Sequence, residues 1–78
     1  MSVTQELINN IARVTRTNEK DLTPQTELKT IKADSLHWVQ VIAGVENALG
    51  IEVDIDREKM AAMKTIEDFA GYIEGFTS

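Results

Sequence analysis

The sequence predicts an all-α fold: a small bundle of three main helices plus one short helix, with a long loop between helices one and two. Three observations lead there. Apolar residues recur at helical spacing in three separate stretches. Residues that start and stop helices bracket those stretches. The one run that alternates like a strand has no second run to pair with. With 78 residues the chain is read as a single domain, 1–78. A chain of that length buries only about 60% of its unfolded surface, so its core is thin.

The first helix is expected from about Thr4 to Thr15, where Val3, Leu7, Ile8, Ile11 and Val14 form one apolar stripe. The segment that follows, RTNEKDLTPQTELKTIKA, carries Asn18, Pro24 and four threonines, which break regular structure. Leu22, Leu28 and Ile31 are spaced through it and are expected to pin it to the core. It is longer than an ordinary helix–helix connection, a sign of function or of tight docking.

The second helix covers Ser35 to Leu49 and stops at Gly50, a residue suited to the left-handed position after a helix. IEVDID, residues 51–56, reads as an extended loop. REKMAAM, residues 57–63, gives the short third helix. The fourth begins at Thr65, where Thr-Ile-Glu-Asp resembles a capping box, and Ile66, Phe69, Ala70 and Ile73 form its buried face.

The second helix has two apolar sides. On a 100° wheel Trp38, Val41, Ile42, Val45 and Leu49 share one sector, the expected core face. Leu36, Val39 and Ala43 lie roughly opposite, flanked by Gln40, Glu46 and Asn47. A surface helix should be charged there, so an apolar strip with a polar rim reads as a docking surface. The alternative is that Leu36 and Val39 tuck under the long first loop.

Composition narrows the function. The chain has no cysteine, which excludes a disulfide framework and thiolate metal sites and suits a reducing cytoplasm. No apolar run is long enough to span a membrane and no secretory pattern opens the chain, so it is read as cytoplasmic and monomeric. The net charge of −5 falls wholly in residues 35–78, where eight acids face Arg57, Lys59 and Lys64. That half repels phosphate backbones and anionic membranes and favours basic protein surfaces, which argues against nucleic acid and membrane insertion.

Two chemical constellations are set aside. Asp34, Ser35 and His37 sit too close along one helix start for a serine–histidine–acid relay, and no oxyanion loop accompanies them. His37 reads as a lone surface histidine. A calcium loop starting at Asp54 would place Lys59 where glycine is needed and Thr65 where a bidentate acid is needed.

The run Ala-Asp-Ser-Leu at 33–36, an apolar helix, Gly-Ile-Glu-Val at 50–53 and a capped last helix together resemble the acyl carrier protein family. The resemblance covers nearly the whole chain and includes its length, acidity, helix order and long first loop. It implies that Ser35 is the attachment point for 4′-phosphopantetheine from coenzyme A. A phosphopantetheinyl transferase would supply base and magnesium, and the serine oxygen would attack the coenzyme A pyrophosphate. The arm's thiol would hold an acyl group as a thioester for synthase and acyl-transfer enzymes. The protein itself would not be an enzyme. Asp34 matches the family's acid before the serine, and two compatible roles stand open for it: helix cap, or orienter of magnesium or of a basic partner residue.

The resemblance also implies a docking face of Leu36, His37, Val39, Gln40, Ala43 and Glu46. Acyl-chain walls would come from Trp38, Val41, Ile42, Val45, Met60, Met63 and Ile66. Family members usually carry several acids along the second helix; here only Glu46 keeps the charge, and Lys32 stands where glycine is usual. That departure suggests a specialised fatty-acid or polyketide-type pathway. Trp38 replaces a smaller residue, either as ordinary core or as a narrowing of the acyl cavity. The rival reading is an unmodified helical interaction module that uses the Leu36–Val39–Ala43 strip.

Overall fold

Ser2 opens the first helix, α1 (Val3–Thr15), by accepting a hydrogen bond from the Gln5 amide. Residues 2–77 are described by the computed structural model. Helix α1 closes at Arg16, which adopts the left-handed conformation (φ 56°). Of its apolar stripe, Leu7 and Ile11 are sealed and Ile8 is buried, while Val3 and Val14 lie at the margin.

The long connection that follows contains two 3₁₀ turns, Glu19–Asp21 and Leu28–Thr30. Leu22, Leu28 and Ile31 are all buried, as their spacing predicted. The connection is also held by backbone hydrogen bonds to the start of the last helix, α4 (Ile66–Glu74). The Leu28 amide donates to the Lys64 carbonyl at 2.8 Å, and the Ile66 amide to the Thr26 carbonyl at 3.0 Å. Glu67 donates to the Pro24 carbonyl at 2.8 Å. An isolated antiparallel bridge between Glu27 and Thr65 lies between them.

That docking leaves few orphan amides at the head of α4. Its first two amides are taken by the connection, and the Asp68 amide by the Thr65 hydroxyl in the expected capping box. The Asp68 carboxylate accepts in return from Lys64 and Thr65, which holds its pKa below the usual aspartate range.

The second helix, α2 (Ser35–Leu49), ends where predicted, with Gly50 left-handed at φ 67°. Residues 51–56 have no regular secondary structure and alternate in burial. Ile51, Val53 and Ile55 turn toward the core, and Glu52, Asp54 and Asp56 face solvent. The short helix α3 (Arg57–Ala62) is capped by Asp56 and ends one residue before the predicted limit, because Met63 has extended backbone (φ −89°, ψ 133°).

Phe69, Leu7, Ile11, Ile66, Ile73, Val41 and Val45 form the sealed centre, with α1 packed on both α2 and α4. One glycine makes the α1–α2 approach possible. A Cβ on Gly44 would collide with the Asn10 carboxamide and lie 2.7 Å from the Arg13 guanidinium. Asn10 is only 5% exposed and cannot swing away, since it donates to the Glu6 carbonyl and accepts from Arg13. Gly71 on α4 has open space at the same position.

Two substitutions of identical chemistry therefore take opposite signs in urea unfolding. Gly71→Ala is expected to stabilise by about 0.5–1 kcal/mol, the ordinary helix-propensity gain. Gly44→Ala is expected to destabilise by about 1–3 kcal/mol, because overpacking exceeds that gain.

Candidate functional site

The site begins with the residue that starts α2. Asp34 has extended backbone (φ −96°, ψ −176°), and its Oδ1 accepts from the His37 amide at 3.0 Å. His37 returns the bond: its Nδ1 accepts from the Asp34 amide at 3.1 Å. The pair is a capping box with an imidazole in the third helical position, where glutamate or glutamine is usual. His37 is thus more than the lone surface histidine that the sequence suggested. With Nδ1 accepting, the neutral ring carries its proton on Nε2. Nδ1 also lies 3.2 Å from Asp34 Oδ1, a contact that becomes an ion pair only on protonation.

The His37 amide is the main reason the Asp34 carboxyl sits below the usual aspartate range, and it outweighs the desolvation that pushes the other way. The nearby imidazole and the amides of Leu36 and of Asp34 itself add to the lowering.

Ser35 is the first helical residue and is exposed. Its amide has no protein acceptor among the described residues, unlike the first amide of α4, while the Leu36 amide lies near enough to the Asp34 carboxylate to help lower its pKa. The positive end of α2 is therefore left open beside a solvent-facing hydroxyl, an arrangement suited to an anion. Ser35 Oγ makes no hydrogen bond to His37, whose Nδ1 is committed to the Asp34 backbone. Among the described residues no group of three or more metal-ligating side chains is found.

A cleft of about 570 Å³ opens next to Ser35. Trp38, Ile42, Met60 and Met63 line it. Val41, Val45 and Ile66 do not: each is 0% exposed and packed into the sealed core, so the expectation that they form walls is corrected. Their places are taken by Leu28, Ile31 and Ala33 of the first connection and by Ile55, with Lys29 and Asp56 as charged members of the lining. Sequence reasoning missed these because they come from irregular segments, where helical periodicity carries no signal. Trp38 is half-buried and rests on sealed Phe69, ring centroids 6.0 Å apart and tilted by 54°. The indole thus serves as both core and cleft wall.

On the outer side of α2, Leu36 is 64% and Val39 61% exposed, so neither tucks under the first connection. Gln40 and Ala43 are exposed with them. Glu46 differs from expectation: it is half-buried, and its Oε2 accepts from the Val53 amide at 2.7 Å. The single carboxylate of α2 fastens the connection to α3. Among the described residues no helix is long and apolar enough to cross a membrane.

The chain matches, over residues 5–73, the family model described as the phosphopantetheine attachment site. Acyl carrier proteins from Lactococcus lactis are among its relatives, from subsp. cremoris strains MG1363 and SK11 and subsp. lactis strain IL1403. Each is 34% identical over 56 residues, which covers 72% of this chain and 71% of the relative.

The cap has a pH signature. Asp34 and Asp68 both have lowered folded-state pKa values, so their stabilisation is fully present above the unfolded aspartate value, about 4. It is lost as pH falls from there through the folded values. Asp34→Asn, which keeps a capping oxygen without the charge, is expected to flatten the decline of urea stability below about pH 4. A decline as steep as that of the native protein would remove Asp34 from the account.

Proposed function

The chain belongs to the acyl carrier protein family, which carries acyl groups on 4′-phosphopantetheine, and on that premise we propose that Ser35 is the attachment residue. The observation that carries this is the exposed Ser35 hydroxyl on the first turn of α2, next to its own amide, which has no protein acceptor among the described residues. That amide and the helix dipole favour a phosphodiester there. Asp34 and His37 hold the turn in shape by capping each other. When bound, the arm supplies the thiol on which the acyl group is held as a thioester.

Partner enzymes then meet the outer side of α2, where Leu36, Val39 and Ala43 offer apolar contact and Gln40 hydrogen bonding. The adjoining cleft shelters short acyl chains, with Trp38, Ile42, Met60 and Met63 as walls and methionine as the deformable part. Because α2 has no free carboxylate among its described side chains, a specialised fatty-acid or polyketide-type pathway in the cytoplasm suits it better than a general one. The protein acts as a carrier and its partners perform the chemistry.

A second reading is favoured by the same exposed Leu36 and Val39: an interaction module that is never modified. Intact mass separates the two after incubation with coenzyme A and a broad-specificity phosphopantetheinyl transferase. A gain equal to the phosphopantetheine moiety, absent from Ser35→Ala, supports the carrier. No gain under conditions that load an established carrier supports the module. For the cleft, Trp38→Ala is expected to shift the chain length whose thioester is hydrolysed most slowly toward longer acyl groups. An unchanged order of hydrolysis rates would take Trp38 out of the cleft's selectivity.

A further inference from the structure

Two of the three methionines sit in one place. The chain has no cysteine, so methionine is its only oxidisable sulfur, and both Met60 and Met63 line the cleft beside Ser35. Met60 belongs to the short helix α3, and Met63 follows as its cap with extended backbone. Each is half-buried, packed against the core on one side and open to the cleft on the other.

That position has a chemical consequence. A thioether reacts with a hydroperoxide only where the oxidant can reach it. The sulfur lone pair attacks one peroxide oxygen, and the S–O bond forms as the O–O bond breaks. Sulfur loses two electrons, and the departing oxygen takes the proton of the transferred hydroxyl and leaves as water or an alcohol. The sulfoxide left behind is polar. Around it the lining is mainly aliphatic, with Leu28, Ile31, Ile42 and Ile55. There the new oxygen either stays hydrated, which holds water in the cleft, or goes unpaired, which costs free energy. Both outcomes disfavour a hydrocarbon chain in the same space.

We propose that Met60 and Met63 form a hydroperoxide-sensitive modification site that sets how well the cleft accepts an acyl chain. The proposal rests on the reading that this cleft shelters the chain, and it adds a regulation to it. Oxidation turns the cleft away from hydrocarbon. Reduction by a dithiol-dependent reductase restores it, the oxygen leaving as water and the dithiol becoming a disulfide. Occupancy acts in the other direction, since a chain lying against the two sulfurs keeps peroxide away. The unloaded carrier is therefore the form that oxidises.

The test treats the protein without its arm with hydrogen peroxide, removes the excess with catalase and locates the added oxygen by peptide mass spectrometry. Both methionines are expected to react within about ten-fold of free methionine in the same solution. A second sample carries hexanoyl on an arm with an amide in place of the thioester, which peroxide leaves intact. There both reactions should slow by about three-fold or more. The oxidised protein is then loaded with a hexanoyl arm by a broad-specificity phosphopantetheinyl transferase, and thioester hydrolysis is followed by intact mass. Hydrolysis is expected to be about two- to five-fold faster than in the unoxidised protein, and methionine sulfoxide reductases should restore the native rate. Met60→Leu/Met63→Leu keeps an apolar lining of similar volume and should hydrolyse at the native rate with or without peroxide. Methionines that resist peroxide, a native hydrolysis rate after oxidation, or a leucine variant that still responds to peroxide would each overturn the proposal. So would an oxidised protein whose circular dichroism shows lost helix, because the effect would then be global. A native hexanoyl thioester that hydrolyses as fast as one on free pantetheine overturns the sheltering reading, and failure to accept any arm overturns the attachment reading; the proposal falls with either.

Discussion

The rotation of α2 about its own axis is set by the close contact of Gly44 with Asn10 and Arg13 of α1. Val41 and Val45 are sealed on the same side. With that face fixed, the 100° helical period leaves no freedom for the others. Trp38 and Ile42 fall on the cleft, Leu36 and Val39 fall in solvent, and Ser35 stands exposed at the head. A rotation of one residue would put valine in water and the serine closer to the core. Packing between two helices thereby decides what the third surface of α2 can present.

The first connection does a second job in that arrangement. Its antiparallel bonds to Lys64, Ile66 and Glu67 tie it to α4, which brings Leu28 and Ile31 into the core and Ala33 to the cleft. The same bonds occupy the first two amides of α4, whereas the Ser35 amide of α2 has no protein acceptor among the described residues. A long irregular loop is tolerable here because its carbonyls and amides find partners in the head of a helix. The cleft is accordingly built from three irregular or short pieces leaning on one rigid helix.

Much of the fold was legible in the residues themselves. The helical stripes, Gly50 as a stop and the Thr65–Asp68 box are short-range signals, and the structure reproduces each with small shifts at the ends. The site was legible in part. The wheel pointed to an exposed Leu36 and left Val39 open between solvent and the first connection, while the exposure of Ser35 followed from its place at the head of the helix. The capping partner of Asp34 was missed because the third position holds histidine and not glutamate. The bond from Glu46 to Val53 and the collision space at Gly44 were missed because each depends on where a second segment folds back. Val41, Val45 and Ile66 were assigned to the cleft because apolar character alone does not distinguish a wall from the layer behind it.

The account requires that an arm be added at the head of α2 without disturbing the packing beneath it. Amide ¹H–¹⁵N correlation spectra before and after loading test that directly. The largest shifts are expected at the Ser35 and Leu36 amides, beside the new phosphodiester, with Asn10, Gly44 and Val45 unmoved. Shifts centred on the α1–α2 contact, or a silent Ser35 and Leu36 in a protein that has gained the arm, would contradict it.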